Sequence, residues 1–203
     1  MYVFLFRIGY FIRLQINKVL TKIVFPFILK GNKVKYANIV RSNGIPVIRN
    51  KGKFMIGKNL TINNGFLYNQ IGRQQKCFFI VGENAELKIG HNVGMSGVAI
   101  VCLKSIQIGD NVKIGGNTVI YDTDFHSLNF LDRRSSSEDR SKIGTASVDI
   151  GDDVFIGAHT TILKGVSIGE KSIIAAGSVV TKNIPAGEIW GGNPVKWIRS
   201  IYE

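Results

Sequence analysis

Aliphatic residues return at every sixth position along one stretch of this chain, from residue 150 to residue 185. Divided into sixes, the stretch reads IGDDVF IGAHTT ILKGVS IGEKSI IAAGSV VTKNIP, with small or β-branched residues at the fifth position of the first five blocks. Neither an α-helix nor an alternating strand has this period. A short fixed repeat indicates units that bury their apolar side only by stacking on their neighbours. The first-position residues are Ile150, Ile156, Ile162, Ile168, Ile174 and Val180.

The length of the repeat predicts the shape of the coil. Six extended residues span about 20 Å, at roughly 3.3 Å per residue. Three such flat faces make a triangular coil of about 18 residues, and successive coils stack at the ordinary spacing between strands. The sequence therefore predicts an all-β protein built as a parallel β-helix. Further hexads occur at residues 56–67, 81–86, 89–100 and 108–125.

Three segments depart from the repeat. Residues 68–76 are polar and are predicted to form a loop. Residues 126–149 are also polar, contain three consecutive serines, and are predicted to leave the β-helix as a longer excursion. Loops of that length are uncommon in compact domains unless they are functional. The repeat ends at Pro185, so we assign residues 41–185 to the β-helix and residues 186–203 to a short C-terminal helix or tail.

Residues 1–40 form a separate basic and apolar segment, predicted to be helical. Phe, Leu and Ile are frequent, but Arg7, Arg13, Lys18 and Lys22 interrupt them, so no apolar run is long enough to cross a bilayer. Neither a membrane span nor a secretory signal is expected. Two helical pieces are predicted, with Pro26 ending or kinking the second.

The net charge of +12 is concentrated near the N-terminus. Residues 1–82 contain 14 Lys and Arg and no Asp or Glu, whereas the remaining residues hold 12 basic and 14 acidic groups, a balance of −2. This distribution indicates an anionic partner. Nucleic acid is not expected, because no nucleic-acid-binding motif accompanies the charge.

The position of the N-terminal segment in the assembled protein has two interpretations. In the first interpretation, residues 1–35 lie in a membrane interface with their apolar side toward the lipid. In the second, they cap one end of the β-helix or pack on a neighbouring subunit. We expect a cytoplasmic protein, and the first interpretation places it peripherally on the inner face of the membrane.

Cysteine and histidine content limits the chemistry. Cys77 and Cys102 are too few and too distant for a disulfide framework or a zinc site. His91 and His159 occupy solvent-facing hexad positions, whereas His126 ends the block YDTDFH, where the excursion leaves. The three histidines are far apart along the chain and differ in hexad position, so no metal site is expected.

The hexads, the excursion that opens at a histidine and the closing run IAAGSVVTKNIPAGEIWGGNPVKWIR together resemble the hexapeptide-repeat acyltransferases. The sugar and polysaccharide O-acetyltransferase branch is the most similar, over residues 54–199. The resemblance implies a left-handed β-helix, a homotrimer, and acetyl-CoA as acyl donor, bound between subunits. It also implies that His126 is the catalytic general base, a role that suits the near-neutral pKa of a histidine side chain.

A carboxylate partner for His126 is expected among nearby acids. Asp124 lies two residues earlier and points to the same side if the segment is extended. It is predicted to orient the imidazole as in a catalytic triad. Asp122 is an alternative for this orienting role. Whichever of the two aspartates does not orient the imidazole is expected to contact the substrate.

The resemblance also places the acyl donor and the acceptor. Small residues leave a shallow groove for a pantetheine arm, and the C-terminal basic residues would meet the CoA phosphates. At the acceptor side this chain has Met95-Ser96 where the small-sugar enzymes carry an asparagine, which favours a polysaccharide unit over a galactoside or maltose. Ser96 is the expected donor to the acceptor. The residues matching cofactor contacts are Ala158, Ala176, Thr181, Lys182, Lys196 and Arg199.

We therefore predict an acetyl-CoA-dependent enzyme that acetylates a sugar hydroxyl in bacterial surface polysaccharide biosynthesis. Two alternatives stay open. One is N-acetylation of an amino sugar nucleotide. The other is a non-catalytic β-helix that serves as a binding module, although such modules need flat repeated arrays of Thr or aromatic residues that this chain lacks.

Overall fold

The protein folds as a parallel β-helix with one long helix at its N-terminal end. The computed structural model describes residues 2–37, 40–65, 67–69, 71–72 and 75–203. Three sheets form the faces of the coils, and strands of successive coils pair in parallel on every face. The predicted parallel β-helix is confirmed.

The strands are short and follow one another in chain order around the three faces. The first twelve are β1 (Lys35–Tyr36), β2 (Val40–Asn43), β3 (Val47–Asn50), β4 (Lys53–Ile56), β5 (Leu60–Asn63), β6 (Phe78–Val81), β7 (Glu86–Ile89), β8 (Gly94–Ser96), β9 (Ala99–Cys102), β10 (Ser105–Ile108), β11 (Lys113–Ile114) and β12 (Val119–Tyr121). The others are β13 (Val148–Ile150), β14 (Phe155–Ile156), β15 (Thr161–Ile162), β16 (Ser167–Ile168), β17 (Ile173–Ile174), β18 (Val179–Val180), β19 (Glu188–Gly191) and β20 (Lys196–Ser200).

The first face is β1-β4-β7-β10-β13-β16, the second is β2-β5-β8-β11-β14-β17-β19-β20, and the third is β3-β6-β9-β12-β15-β18. Along the second face, Ile114, Ile156 and Ile174 stand directly above one another. All six first-position residues of the main repeat are at most 3% exposed. The hexad thus specifies the buried columns: the first-position aliphatic residue and the small or β-branched residue at the fifth position both face the interior.

The fifth position of the hexad tolerates hydroxyl groups because the corners satisfy them. Thr160 donates to the carbonyl of Gly157 at 2.8 Å, and Ser178 donates to the carbonyl of Ala175 at 2.6 Å. Ser172 likewise donates to Pro185 at 2.7 Å. Each buried hydroxyl therefore has an acceptor, which avoids the cost of burying an unpaired polar group.

The N-terminal segment is a single helix, α1 (Tyr2–Gly31), and the prediction of two pieces is wrong. Pro26 lies inside the helix, where it removes one backbone donor without ending it. Phe25 and Leu29 belong to the core, so packing against the first coils holds the last turns in place. Asn32, just after the helix, accepts from the backbone of Asn50 at 3.1 Å and fastens the helix end to β3.

The rest of α1 exposes most of its apolar side chains. An apolar stripe runs along the outer side of the helix, and its side chains are 50–56% exposed. Its members are three, four or seven residues apart, the spacing of residues on one side of an α-helix. They are Leu5, Ile12, Ile16, Val19 and Ile23. The helix contains five basic residues and no acidic one. Among the described residues, no helix is long and apolar enough to cross a membrane.

The excursion between β12 and β13 has structure of its own. It contains a 3₁₀ turn at Asp132–Arg134 and a short helix, α2 (Ser136–Ser141). An antiparallel bridge between Thr123 and Thr145 closes its neck. The amide of Ala146 also donates to the carbonyl of Asp122 at 3.0 Å. The chain therefore returns to the β-helix close to where it left.

The C-terminal segment, predicted as a short helix or tail, forms a strand instead. β20 pairs antiparallel with β19, which itself continues the second face. Gly192 takes a φ of +100°, and the turn that follows brings β20 back along β19. The hairpin extends the second face beyond β17, whose edge would otherwise be unpaired.

The close stacking of the coils makes a stability prediction. A Cβ on Gly157 would overlap the backbone nitrogen of Ala176, whereas one on Gly94 would meet only the flexible Lys113 side chain, at 3.4 Å. Gly157→Ala should lower the free energy of unfolding by about 2 kcal/mol, as overpacking does. Gly94→Ala is the matched control and should stay within about 0.5 kcal/mol of wild type. Denaturant unfolding would measure both, and equal stability of the two variants would contradict the packing interpretation.

Candidate active site

His126 lies where the excursion leaves the third face. Just before it, Phe125 takes a φ of +64°, which turns the chain away from the coil. The Phe125 ring meets the Tyr121 ring edge-on at 5.0 Å and holds this turn against the coil. The His126 side chain is 69% exposed, so its ring is accessible to substrates.

One carboxylate of the excursion holds the His126 ring. Nδ1 of His126 lies 2.6 Å from Oδ2 of Asp139, whose side chain is only 12% exposed. The other carboxylate oxygen of Asp139 accepts from the amide of Ser127 at 2.6 Å. With Nδ1–H donating to Asp139, Nε2 carries a free lone pair and can accept a proton.

A second carboxylate stiffens the same segment. Asp132 accepts from the hydroxyl of Ser127 at 2.9 Å and from the ammonium of Lys142 at 2.9 Å. The hydrogen bond from Lys142 makes the largest contribution to lowering the pKa of Asp132, and the hydrogen bond from Ser127 makes the next largest. The bond from His126, followed by the Ser127 amide, lowers the pKa of Asp139. Both groups are therefore ionised at neutral pH, and Asp139 can stabilise a protonated imidazole.

The predicted orienting residue, Asp124, is not the partner of His126. Its carboxylate lies 3.4 Å from the ammonium of Lys164, on the neighbouring coil. The segment turns at Phe125, so the extended geometry on which the prediction depended does not exist. The orienting carboxylate comes from Asp139 instead, thirteen residues after His126.

Asp122 is also not placed to bind a substrate, because its side chain is fully buried. Its two oxygens accept from the amides of Leu103 and Lys104, each at 2.7 Å, and so fasten the corner of the coil below. Burial, followed by the charge of Asp122, raises the pKa of the Cys102 thiol to about 12. Asp122 is a structural residue of the scaffold.

The other two histidines have local roles at the corners. Nδ1 of His91 accepts from the amide of Lys58 at 2.7 Å. His159 takes a φ of +61° and lies 3.2 Å from the side-chain amide of Asn117. Within the part of the chain that the structure describes, no group of three or more His, Cys, Asp or Glu is arranged to hold a metal ion.

Two of the predicted cofactor residues lie together at one corner of the stack. The carbonyl of Ala158 accepts from the amide of Gly177 at 2.8 Å, so the corners holding Ala158 and Ala176 are directly stacked. Among the described residues, no other atom lies within 4 Å of a Cβ built on Gly177, which shows that this corner faces open space. This corner therefore has space for a further group beside Gly177.

The other predicted cofactor residues lie on two further elements. Thr181 and Lys182 follow β18 on the third face, two coils beyond the strand that leads to His126. Lys196 and Arg199 belong to β20 and are exposed. The excursion and Lys182 thus both follow strands of the third face of the β-helix. The terminal hairpin supplies further basic groups at the C-terminal end of the β-helix.

Ser96, the predicted acceptor contact, ends β8 on the second face and is half-buried. Its hydroxyl oxygen accepts from the side-chain amide of Asn63 at 3.0 Å. Asn63 in turn accepts from the side-chain amide of Asn43 at 2.8 Å. Ser96 is therefore one end of a polar column, which the hexad pattern did not indicate.

Sequence reasoning missed Asp139 and the residues that anchor the excursion. Ser127, Asp132 and Lys142 lie in a run without periodicity, where no spacing rule says which side chains meet. The one available signal was chemical, since a general-base histidine needs a carboxylate or carbonyl behind it. Glu138 was an equally good candidate by position, but it contacts Lys142 at 3.2 Å.

Comparison with known proteins is consistent with this fold. A family model described as the hexapeptide repeat of succinyl-transferase matches residues 147–182. The galactoside O-acetyltransferase of Escherichia coli is 30% identical over 171 residues, which are 78% of this chain and 81% of that protein. The acetyltransferase YvoF of Bacillus subtilis, described as putative, is 35% identical over 58% of this chain and 62% of its own length.

A solved structure agrees with both sequence matches. The hexapeptide-repeat acetyltransferase VCA0836 of Vibrio cholerae, in complex with acetyl-CoA, has a TM-score of 0.51 and 33% identity. The match covers 58% of this chain and 61% of that one. The left hand of the β-helix, implied by the resemblance, is confirmed. The chain belongs to the hexapeptide-repeat acyltransferases.

Proposed function

We propose that this protein is an acetyl-CoA-dependent O-acetyltransferase that acts on a sugar hydroxyl in bacterial surface polysaccharide biosynthesis. The observation that carries the proposal is the His126–Asp139 pair, at 2.6 Å, with the rest of the imidazole exposed at the neck of the excursion. A catalytic base needs this arrangement, with one ring nitrogen held and the other free.

The proposed reaction uses His126 twice. Nε2 takes the proton of the sugar hydroxyl while the oxygen of that hydroxyl forms a bond to the carbonyl carbon of the thioester. The imidazolium then returns that proton to the departing sulfur, which leaves an acetyl ester and a free thiol. Asp139 stays ionised throughout and stabilises the imidazolium, because its pKa is held low by His126 and by the Ser127 amide.

The donor side of the site rests on residues that match the family's contacts. Acetyl-CoA supplies the acetyl group as an activated thioester. Ala158 and Ala176 leave room for its pantetheine arm, and Thr181 borders the same surface. Lys182, Lys196 and Arg199 are exposed and provide positive charge for its phosphates. Lysine at 196 contributes a point charge rather than a bidentate contact.

We also propose the homotrimer that the resemblance implies. Two large apolar side chains on the outside of the coils support it, Phe155 at 50% and Leu163 at 37% exposure. A neighbouring subunit would cover such side chains and would complete a cofactor site between two β-helices.

The His126 assignment is tested by substitution. His126→Ala should reduce thioester cleavage, with acetyl-CoA and a panel of glycans as acceptors, by a hundredfold or more, because general-base catalysis contributes about 10²–10⁴-fold. His91→Ala, an exposed histidine at another corner, is the matched control and should retain activity within about twofold. Undiminished turnover in His126→Ala would refute the mechanism.

The product distinguishes the two acyltransfer reactions. Mass spectrometry before and after mild alkali treatment should show an added acetyl group that the treatment removes, because an ester hydrolyses readily. A stable amide would assign the protein to N-acetylation of an amino sugar instead. The absence of thioester cleavage with every acceptor would leave a binding module as the function.

The positioning role of Asp139 makes a separate prediction. Asp139→Asn should lower kcat by about tenfold to a hundredfold, because the amide cannot stabilise an imidazolium as a carboxylate does. The acidic limb of its pH–rate profile should also move to lower pH, since the protonated ring loses its anionic partner.

Asp132→Asn is the control for this experiment. It loosens the same excursion but does not contact the imidazole, so it should leave the acidic limb in place. A shift of equal size in both variants would show that Asp139 acts only by ordering the loop.

We propose further that α1 holds the protein on an anionic membrane surface. Its inner side, with Phe25 and Leu29, packs on the β-helix, while the outer stripe is apolar. Five basic and no acidic side chains on the helix complement anionic lipid headgroups. This orientation would bring the β-helix close to lipid-linked glycans.

Vesicle cosedimentation tests the membrane proposal. The protein with its intact helix α1 should bind vesicles containing phosphatidylglycerol. The triple variant Ile12→Gln, Ile16→Gln, Val19→Gln should bind at least about tenfold more weakly, because burial of apolar area drives interfacial binding. The variant keeps Phe25 and Leu29, so the end of the β-helix stays covered. Ile198→Gln, at an equally exposed apolar position on β20, is the control. Equal binding by the triple variant, or no binding by wild type, would refute the proposal.

A further inference from the structure

A basic cavity lies along the flank of α1, between the helix and β2, and none of the residues placed in the mechanism lines it. It has a volume of about 380 Å³, which is within the range of small-molecule sites. We call it the flank pocket. Its lining includes Lys18, Thr21, Lys22 and Phe25 of the helix and Arg41 and Ser42 of the strand.

The three positive charges of the flank pocket find no counter-ion among the described residues. No Asp or Glu precedes Glu83 in the sequence, and Glu83 itself lies 3.4 Å from the ammonium of Lys51. None of the ion pairs among the described residues includes Lys18, Lys22 or Arg41. Lys18 and Lys22 are four residues apart, where like charges repel each other and destabilise a helix. An anion in the pocket would offset this repulsion.

The hydroxyl protons of the flank pocket are already used. The hydroxyl of Thr21 donates to the carbonyl of Asn17 at 2.7 Å, and the hydroxyl of Ser42 donates to the carbonyl of Gly44 at 2.5 Å. Recognition of a ligand therefore falls to the two ammonium groups and the guanidinium group. This chemistry selects an anion rather than a neutral sugar.

Two walls of the flank pocket carry the charges, and buried side chains hold the walls together. Thr21 and Phe25 are 3% and 5% exposed and pack α1 on the β-helix. Lys18 and Lys22 come from the helix, whereas Arg41 comes from β2. A phosphate group has oxygens in several directions, so it can accept from both walls at once. The two oxygens of a carboxylate lie in one plane and are satisfied by one guanidinium group.

The position of the flank pocket on α1 indicates where such a phosphate comes from. Lys22 is three residues from Val19 of the outer stripe and three residues from the buried Phe25, so it lies about 60° around the helix from each. The pocket thus opens between the inner and outer sides of the helix. With the outer stripe in lipid, Lys18 and Lys22 stand at the level of the headgroups, where lysine side chains extend toward the polar layer.

We propose that the flank pocket binds a phosphate ester through Lys18, Lys22 and Arg41, and that the headgroup of an anionic phospholipid supplies it. That the phosphate belongs to a lipid rests on the membrane role proposed for α1. The outer stripe alone would let the protein rotate about the helix axis. A headgroup held between the helix and β2 would fix the orientation of the β-helix on the membrane.

Binding to vesicles that contain phosphatidylglycerol tests this proposal. Lys22→Gln should weaken binding at least about twentyfold, because it removes a charge-assisted hydrogen bond as well as a surface charge. Lys30→Gln, eight residues later on the same helix and outside the pocket, is the matched control and should cost about fivefold or less.

A second pair of variants keeps the net charge. Arg41→Lys should weaken binding about fivefold or more, because lysine cannot offer the paired donors of a guanidinium group. Arg49→Lys, at an exposed position on β3, is the control and should stay within about twofold of wild type.

Thermal unfolding with glycerophosphoglycerol, the soluble headgroup of phosphatidylglycerol, tests the flank pocket without a membrane. At about ten times its Kd, and at an ionic strength matched with sodium chloride, it should raise the Tm of wild type by about 4 °C. The triple variant of the outer stripe keeps the pocket and should show the same rise. Arg41→Gln should show none.

The flank pocket and the membrane role can fail separately. Vesicle binding with equal losses in Lys22→Gln and Lys30→Gln, and no Tm rise with the headgroup, would overturn the pocket and leave the membrane role standing. No vesicle binding by wild type, with a Tm rise that Arg41→Gln abolishes, would support the phosphate site but overturn a lipid as its source. The ligand would then be a soluble phosphate ester.

Discussion

Backbone packs on backbone at the corners of this protein, and this close approach governs everything else in the structure. The amide of Gly157 donates to the carbonyl of Ile174 at 2.7 Å, and the amide of Gly151 donates to Ile168 at 2.8 Å. These bonds hold each coil at a fixed height above the one below. Because the interior is filled by stacked columns of mostly aliphatic side chains, the outer surface is free to vary without loss of the core.

A scaffold this regular cannot form an active site from its repeat alone. Flat faces give no concavity, and a corner offers only one or two side chains. The chemistry that we propose lies where the regularity is interrupted. The excursion adds His126 and Asp139 at one edge, and α1 borders a polar cavity on the second face. Both additions are anchored by buried residues, Asp132 and Asp139 in the excursion and Phe25 and Leu29 in α1.

Local periodicity explains which features the sequence could predict. The inward column from Ile150 to Val180 follows directly from the six-residue period, and His126 was recognisable because it ends a block where the period stops. The partner of His126 was not predictable, because Asp139 approaches it through the fold of a segment with no period. β20 was missed because its pairing with β19 depends on the turn at Gly192. The polar cavity beside α1 is lined by Tyr10 of the helix and by residues of several coils, a juxtaposition that no spacing within one segment encodes.

The closed neck of the excursion has an evolutionary consequence. Thr123 and Thr145 are bridged, so the chain enters and leaves the β-helix at nearly one point. Residues between them can be inserted, deleted or exchanged while the coils above and below keep their pairing, because β12 and β13 belong to different faces that already pair with other coils. Selection can therefore change the reactive groups of this protein independently of its folding, and new specificities can arise by replacing one loop on an unchanged scaffold.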